Sequence, residues 1–273
     1  MPDLSGKTLF ISGASRGIGK SIAMRAAGDG ANVVVAAKTT EPHPGLPGTI
    51  YTAAEEIEAA GGKALPLAVD VRDPDTIIAA VDKAKTAFGG IDILVNNASA
   101  ISLTGTLDTP IKRFDLMFSV NVRATFACSQ ACLPHLKRAP NPHILNLSPP
   151  LDMRARWFKD HCAYTMSKYG MSMCVLGMAE EFKQDGVAVN ALWPRTVINT
   201  AAVAMLGGRI KPANCRNPEI VAEAAYAILT RDANTCTGNF FIDDEVLAEE
   251  GIRDLERYAV EPGGVLVSDL FVE

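Results

Sequence analysis

The sequence predicts an α/β fold in which a doubly wound parallel sheet is covered by helices on both faces. Short apolar runs alternate with helical patterns along the whole chain. The runs are almost continuously apolar, as in strands that are buried on both faces. A glycine-rich turn follows the first run directly, and ligands of such folds bind beyond the carboxyl ends of the strands.

The predicted elements follow the chain in order. The first strand, TLFISG, leads into a helix that ends in glycines, and the next strand is the apolar run NVVVAA. Short apolar runs predict strands at 8–13, 32–37, 64–69, 92–98, 143–148, 187–192 and 238–243. Longer helical patterns predict helices at 18–30, 52–61, 76–88, 114–136, 163–183 and 219–229.

The chain is predicted to form a single domain over residues 1–244. Its 273 residues are many for one domain, but α/β folds often reach this size. The proline-rich stretch at 41–48 is too short to link two domains. We expect residues 245–273 to form a C-terminal tail that packs on the same domain or on a neighbouring subunit.

Composition and charge exclude several classes of function. Apolar residues make up 48% of the chain, and the net charge of −5 argues against sequence-independent binding to nucleic acid. No apolar run approaches the roughly 18 residues of a membrane span. The first residues read as a strand and not as a signal peptide, so we expect a cytoplasmic protein. The six cysteines form no CxxC pair and the four histidines no ligand cluster, so we expect no metal.

The turn after the first strand is a candidate phosphate site. Gly13, Gly17 and Gly19 have GxxxGxG spacing, which differs from the common dinucleotide pattern. Glycines let backbone N–H groups approach a pyrophosphate at the positive end of a helix. A tight strand-to-helix turn without a ligand is the alternative interpretation.

The end of the second strand favours NADP over NAD. An acid at this place usually binds the ribose 2′-hydroxyl of NAD, but here the strand ends in two alanines and Lys38. Lys38 would attract a 2′-phosphate, and the planar guanidinium of Arg16 could reach the same group. A solvated surface lysine is the alternative for Lys38.

Several motifs together resemble those of the short-chain dehydrogenase/reductase family, whose fold is of the Rossmann type. SGASRGIG resembles its glycine turn, VDVRD the adenine contact, NNAS the motif after the fourth strand, and YTMSK its YxxxK pair. HILNLSPP, WFKDHCAYT and KYGMSMCVLGMAEEF are most similar to a hydroxysteroid dehydrogenase-like branch of the family.

The resemblance implies a set of site residues. The implied catalytic residues are Tyr164, Lys168, Asn121 and Ser148, and Asn121 would hold a water that links Lys168 to solvent. The implied cofactor-binding residues are Gly13, Ser15, Arg16, Gly17, Ile18, Gly19, Lys38, Asp70, Val71, Asn97, Ala98, Tyr164, Lys168, Thr196 and Val197.

Tyr164 and Lys168 form a candidate acid/base pair. Positions i and i+4 lie on one face of a helix, so the two side chains can act together. A free tyrosine titrates near 10 and is a poor base at neutral pH. We expect the Lys168 ammonium to lower the pKa of Tyr164 and favour the phenolate.

Two positions depart from the family pattern. The family's second serine after the fifth strand binds the substrate oxygen, but here the register places Pro149 there, directly after Ser148. Losing such a donor costs about 2.7–4 kcal/mol of transition-state stabilisation. Ser148 could replace it, or could merely satisfy backbone groups at the strand end.

The second departure is in the loop after the sixth strand, where the family's Pro-Gly becomes Pro194-Arg195. Thr196 and Val197 follow and could meet a nicotinamide carboxamide through backbone groups. Arg195 and the nearby loop residues Arg154, Arg156 and Arg209 are either ligands of an acidic or CoA-linked substrate or solvated surface residues.

Two functional hypotheses follow. The first is an NADP-dependent oxidoreductase that transfers a hydride between the nicotinamide and a carbonyl or secondary alcohol of an apolar, lipid- or steroid-like substrate. The second is a catalytically weak NADP(H)-binding sensor or scaffold. The family resemblance also implies a homodimer or homotetramer.

Overall fold

The computed structural model describes residues 3–204 and 210–273 of the chain. In these residues seven parallel strands form one sheet in the order β3-β2-β1-β4-β5-β6-β7. The strands are β1 (Thr8–Ser12), β2 (Asn32–Ala37), β3 (Lys63–Ala68), β4 (Ile93–Asn96), β5 (His143–Asn146), β6 (Ala188–Trp193) and β7 (Phe240–Ile242). The predicted doubly wound parallel sheet is thereby confirmed. Its strand order reverses between β1 and β4, the point where such folds bind ligands.

Helices connect the strands. They are α1 (Gly17–Ala27), α2 (Ile50–Ala59), α3 (Pro74–Phe88), α4 (Ile111–Met117), α5 (Ala124–Leu136), α6 (Cys162–Glu181), α7 (Ala201–Ala204), α8 (Glu219–Leu229) and α9 (Asp243–Glu249). The helix predicted over 114–136 begins earlier and is interrupted by a π-helical stretch, Phe118–Arg123. Helix α9 was not predicted, and the predicted tail boundary after residue 244 falls inside it.

The strands bury both faces because successive side chains point to opposite sides of the sheet. In β1, Leu9 and Ile11 pack with α1, α2, α8 and α9, whereas Phe10 packs with α3, α5 and α6. These two apolar clusters hold the sheet between its helical layers.

A third apolar cluster lies at the carboxyl edge of the sheet. It joins Trp193 and Ile242, the last residues of β6 and β7, to Tyr164 on α6 and to Phe271 near the end of the chain. The edge that presents the candidate site is therefore covered by apolar side chains. In the part of the chain described here, no helix has both the length and the apolar character to cross a membrane.

Candidate functional site

The glycine turn is held against the end of β4. Gly13 and Gly17 have φ values of +70° and +58°, which favour glycine. A Cβ atom at Gly19 would lie 2.4 Å from Asn97 Nδ2 and 2.9 Å from the Gly13 oxygen. Asn97 Nδ2 donates to the Ser12 and Gly13 oxygens at 2.9 and 3.1 Å. The turn thus closes tightly and leaves the N-terminus of α1 without a side-chain cap.

A cleft of about 420 Å³ opens at the carboxyl ends of β1, β2 and β4. Most of the predicted cofactor residues line it: Gly13, Ser15, Arg16, Gly17, Ile18, Lys38, Asp70, Val71, Asn97 and Ala98. The lining also includes Thr39, Leu46, Ser99 and Ala100, which the sequence interpretation missed. Ser99 ends the NNAS motif and could have been found from it, whereas the other three are common residue types outside any motif and are identified only by the fold.

The far end of this cleft is positively charged. Lys38 is exposed, and the Arg16 guanidinium donates to the Pro47 and Gly48 oxygens at 2.9 and 2.7 Å. The Arg72 guanidinium binds the Asp70 carboxylate and, with a smaller contribution from Lys38, holds the pKa of Asp70 at about 2. Cations therefore outnumber the single carboxylate here.

Asn121 lies in the π-helical stretch and is fully buried. Its Oδ1 accepts from the Ala100 N–H at 2.7 Å, while its Nδ2 donates to the Ala100 oxygen at 3.0 Å and to Ser167 Oγ at 2.9 Å. The side chain thereby ties the loop after β4 to α6, one residue before Lys168. Its polar atoms are occupied by the protein, and the water predicted at this residue remains a prediction.

Lys168 is buried and points to the end of β5. Its Nζ donates to the Leu147 oxygen at 2.6 Å and lies 3.5 Å from Met171 Sδ and 4.9 Å from the centre of the Trp193 ring. Burial lowers the pKa of Lys168 to about 7, and the negative charge of Asp269 opposes that change. The lysine can therefore gain or lose a proton near neutral pH.

Tyr164 lies one helical turn before Lys168 and is only 5% exposed. Burial raises the pKa of Tyr164, and the Asp269 carboxylate raises it further. The expectation that Lys168 lowers this pKa is wrong for this conformation. The physical reason is that the lysine is engaged with β5 while the phenolate would be deprived of water.

Ser148 Oγ is buried without a hydrogen-bond partner among residues 3–204 and 210–273. The interpretation that this hydroxyl merely satisfies backbone groups is therefore wrong for the described residues. Ser148 directly follows Leu147, whose carbonyl oxygen accepts from Lys168 Nζ. The carbonyl oxygen of the next residue, Pro149, accepts from Ser172 Oγ at 2.6 Å. An unpaired buried hydroxyl is costly unless a ligand pairs with it.

Thr196 and Val197 differ from the expectation that both offer backbone groups to a ligand. The Val197 N–H donates to the Val267 oxygen, and its own oxygen accepts from the Arg216 N–H, each at 3.0 Å. Thr196 pairs with Ser268 in a short antiparallel bridge, and its Oγ1 is buried without a partner in the described residues. Thr196 is therefore the better placed of the two to bind a ligand.

Of the four arginines considered above, Arg209 lies outside the described residues. Arg195 is about a quarter exposed and is paired with acidic groups of the chain. Its guanidinium binds Asp244 and Glu245 at the start of α9, and its Nη1 donates to the Glu273 main-chain oxygen at 2.8 Å. Arg154 and Arg156 bind the Glu273 side chain. All three arginines thus contact acidic groups of the chain itself.

The C-terminal segment, residues 267–273, supplies site residues that the sequence interpretation missed. The Phe271 ring lies 6.2 Å from the Tyr164 ring at an interplanar angle of 30°. Burial raises the pKa of Asp269 to about 7, against the opposing effects of the Leu270 N–H and Lys168. No motif marks these residues, because their role depends on a contact between distant parts of the chain.

Chemically, the arrangement can bind a phosphate-containing nucleotide and transfer a proton. The cleft and glycine turn offer backbone N–H groups and cations. Tyr164, Lys168 and Ser148 supply proton-bearing groups where α6 meets the end of β5. In the described part of the chain, no group of three or more His, Cys, Asp or Glu side chains is arranged to hold a metal ion.

The chain is similar to known proteins over nearly its full length. It is 64% identical over 270 residues to hydroxysteroid dehydrogenase-like protein 2 of Xenopus laevis, covering 99% of this chain and 64% of that protein. The chain therefore spans a little under two thirds of that relative. A crystal structure from Xanthomonas campestris shares 60% identity and 99% of both chains, with a TM-score of 0.97.

More distant solved structures contain cofactors. A metagenomic short-chain oxidoreductase in complex with NADP is 29% identical, with a TM-score of 0.72 over 88% of this chain and 97% of its own. A short chain dehydrogenase from Mycobacterium paratuberculosis bound to NAD has the same fold at 22% identity, with a TM-score of 0.74 and the same coverage.

The family profile described as short chain dehydrogenase matches residues 7–207. That range includes the glycine turn, the buried Tyr164 and Lys168, and the strands that position them. Together with the similarity to a curated dehydrogenase-like relative and to solved structures, this match assigns the fold and the nicotinamide-dependent class of chemistry. The chain belongs to the short-chain dehydrogenase/reductase family.

Proposed function

We propose that the protein is an NADP-dependent oxidoreductase that interconverts a carbonyl and a secondary alcohol on an apolar, lipid- or steroid-like substrate, with Tyr164 as general acid/base. The observation that carries this proposal is the contact between Lys168 Nζ and the Leu147 oxygen. It brings the helix that bears Tyr164 to the strand end that bears the Ser148 hydroxyl, which has no partner in the part of the chain that the structure describes. A donor, a proton carrier and a lysine are thereby neighbours.

The residues present fit a nicotinamide dinucleotide. The glycine turn would hold the pyrophosphate, Asp70 and Val71 the adenine side, and Lys168 the nicotinamide ribose. Thr196 Oγ1, buried without a partner in the described residues, would bind the carboxamide. The bound cofactor would supply the hydride.

The preference for NADP rests on charge at the end of β2. No acid stands there to bind a ribose 2′-hydroxyl, and Lys38 and Arg16 line the cleft instead. A 2′-phosphate would gain charge-assisted hydrogen bonds from these two side chains.

In this proposal each residue of the substrate side has a separate task. Tyr164 gives a proton to the carbonyl oxygen in reduction and takes one from the alcohol in oxidation. Ser148 donates to the same oxygen, in place of the serine that Pro149 replaces. Asn121 positions the loop after β4 against α6 through its bonds to Ala100 and Ser167.

A catalytically weak NADP(H) sensor or scaffold is the second candidate. It is favoured by the burial of Tyr164 and Ser148, which are 5% and 0% exposed, and by the raised pKa of Tyr164. Such a protein would bind the cofactor tightly and turn over no carbonyl compound.

We also propose a cytoplasmic homodimer or homotetramer. Large apolar side chains are exposed on the outer faces of α5 and α6, as expected for a helix-mediated interface: Phe126, Met166, Met173 and Leu176. The cysteines of the described residues are free thiols, which fits a reducing compartment.

The tyrosine mechanism predicts that Tyr164→Phe loses at least about 1000-fold in kcat while the Kd for NADPH is unchanged, because only the proton carrier is removed. Tyr169→Phe is the matched control: its hydroxyl donates to the Asp152 oxygen, so that variant is expected to lose stability and retain turnover. Steady-state kinetics on a reducible ketone give kcat, and cofactor titration gives the Kd for NADPH. Equal rates for Tyr164→Phe and wild type would contradict the mechanism.

The two buried serines beside Pro149 give a second test. Ser148→Ala is expected to raise the free energy of unfolding by up to about 1 kcal/mol, because it removes an unpaired hydroxyl, and to lower kcat about 100-fold. Ser172→Ala deprives the Pro149 oxygen of its donor and is expected to lose about 1–2 kcal/mol with little change in kcat. Urea unfolding and initial rates measure both. Similar destabilisation in the two variants would assign Ser148 a structural role.

The cofactor preference predicts that Lys38→Ala weakens NADPH binding about tenfold or more and leaves NADH binding nearly unchanged. Lys63→Ala is the control. Lys63 is also exposed, but it is the first residue of β3 and therefore lies at the amino edge of the sheet, whereas the cleft opens at the carboxyl edge. Equal losses for both cofactors in Lys38→Ala, measured by titration calorimetry, would remove Lys38 from the site.

Lys168 predicts a pH dependence of cofactor binding. In the proposed complex the Lys168 ammonium binds the nicotinamide ribose. Because its pKa is lowered to about 7, the ammonium loses its charge as the pH rises above 7. The Kd for NADPH should therefore rise about tenfold per pH unit between pH 7.5 and 9, where the 2′-phosphate no longer titrates. Lys168→Met should bind weakly with a flat profile. A flat profile for wild type would argue against a role for the ammonium.

A further inference from the structure

Phe271 is the centre of the aromatic cover over Tyr164. Its ring is 3% exposed and contacts five other rings: those of Trp157, His161, Tyr164, Tyr169 and Trp193, with centroid distances from 5.3 to 6.2 Å. These side chains come from the loop after β5, from α6 and from the end of β6. A substrate that approaches Tyr164 over this face must pack on the Phe271 ring or displace it.

The backbone of Phe271 is strained. Its φ is +75°, and a bulky residue in the left-handed region is a rare exception. Such strain costs about 1–3 kcal/mol and persists only where surrounding contacts hold it. Residues in this state cluster at ligand-binding and switching sites. The ring contacts described above hold Phe271 in this conformation.

The C-terminal segment is attached on both sides of Phe271, by hydrogen bonds to the end of β6 and the loop after it before the ring, and by arginines after it, where Arg195 Nη1 donates to the Glu273 main-chain oxygen. Main-chain hydrogen bonds join Val267 to Val197 and Asp269 to Arg195, and Trp193 Nε1 donates to the Leu270 oxygen at 2.8 Å. Beyond Phe271, the Glu273 side chain is 61% exposed and binds two arginines that are about half exposed. Exposed ion pairs contribute little to stability.

We propose that Phe271 is a specificity-determining residue that forms the substrate-facing wall beside Tyr164 and limits the width of the compounds that reach the phenol. This inference rests on the proposed function, because it assigns the substrate side of the same site. The apolar part of a carbonyl substrate packs against or replaces the Phe271 ring. The attachment up to Leu270 lets the ring be displaced while the preceding residues stay bonded to Trp193 at the end of β6 and to the loop after it.

The first test compares a small linear ketone with a bulky cyclic ketone. Phe271→Ala and Phe271→Gly should raise the ratio of kcat/KM for the bulky over the small ketone about tenfold or more, as expected when a pocket wall is removed. Val267→Ala is the control, because its exposed side chain lies in the same segment away from Tyr164. Since glycine accepts a φ of +75°, Phe271→Gly remains informative if Phe271→Ala folds poorly. An unchanged ratio in both variants that fold would overturn the proposal.

The second test needs no turnover. The two tryptophans of the chain both contact Phe271, at 5.9 Å each, so their fluorescence reports the cover directly. Acrylamide should quench Phe271→Gly about twofold or more strongly than wild type and Val267→Ala. Equal quenching would overturn the position of Phe271 as a cover. If quenching changes as expected but no variant reduces any ketone, the proposed oxidoreductase function fails and the cover stands.

Discussion

The hydrogen bond from Lys168 to the Leu147 oxygen is the interaction around which the substrate side is arranged. A buried ammonium needs partners, and here it receives one carbonyl, one thioether and the face of Trp193. Burial lowers the pKa of the amine to about 7, although the negative charge of Asp269 opposes that change. The same bond joins α6, which carries Tyr164, to the end of β5, which is followed by Ser148.

Burial shifts the pKa values of Tyr164 and Lys168 in opposite directions, and both shifts favour the neutral side chain. It raises the pKa of the phenol and lowers that of the amine, so both neutral forms are favoured. A protonated Tyr164 suits the donation step of carbonyl reduction. The phosphates of a bound dinucleotide would favour the charged lysine, so the site's proton state is coupled to its ligand.

Local sequence patterns were sufficient to predict the sheet and the cofactor cleft. They were insufficient to predict the aromatic cover of Phe271 over Tyr164. Continuous apolar strands and the glycine turn are patterns of a few neighbouring residues, which is why the doubly wound parallel sheet and the turn at Gly13, Gly17 and Gly19 could be predicted. The order of the strands could not be predicted from these patterns. The π-helical stretch at Asn121 and the contact of Phe271 with Tyr164 depend on tertiary packing. The prediction of a lowered Tyr164 pKa was wrong for the same reason. The YxxxK motif indicates that a lysine is near the tyrosine, but it does not indicate that burial removes water from the phenol.

Arg195 stands where the family pattern has a glycine, and its side chain joins three separate parts of the chain. It binds the acidic start of α9 through Asp244 and Glu245, and it holds the main chain of Glu273. A return to glycine at this position would leave the two carboxylates without their shared cation and would remove the side-chain bond to the Glu273 main chain, while the main-chain bond between residue 195 and Asp269 would remain. Residues 195, 244 and 245 are therefore expected to vary together among homologous sequences. We also expect this set to accompany the C-terminal segment that Arg195 binds.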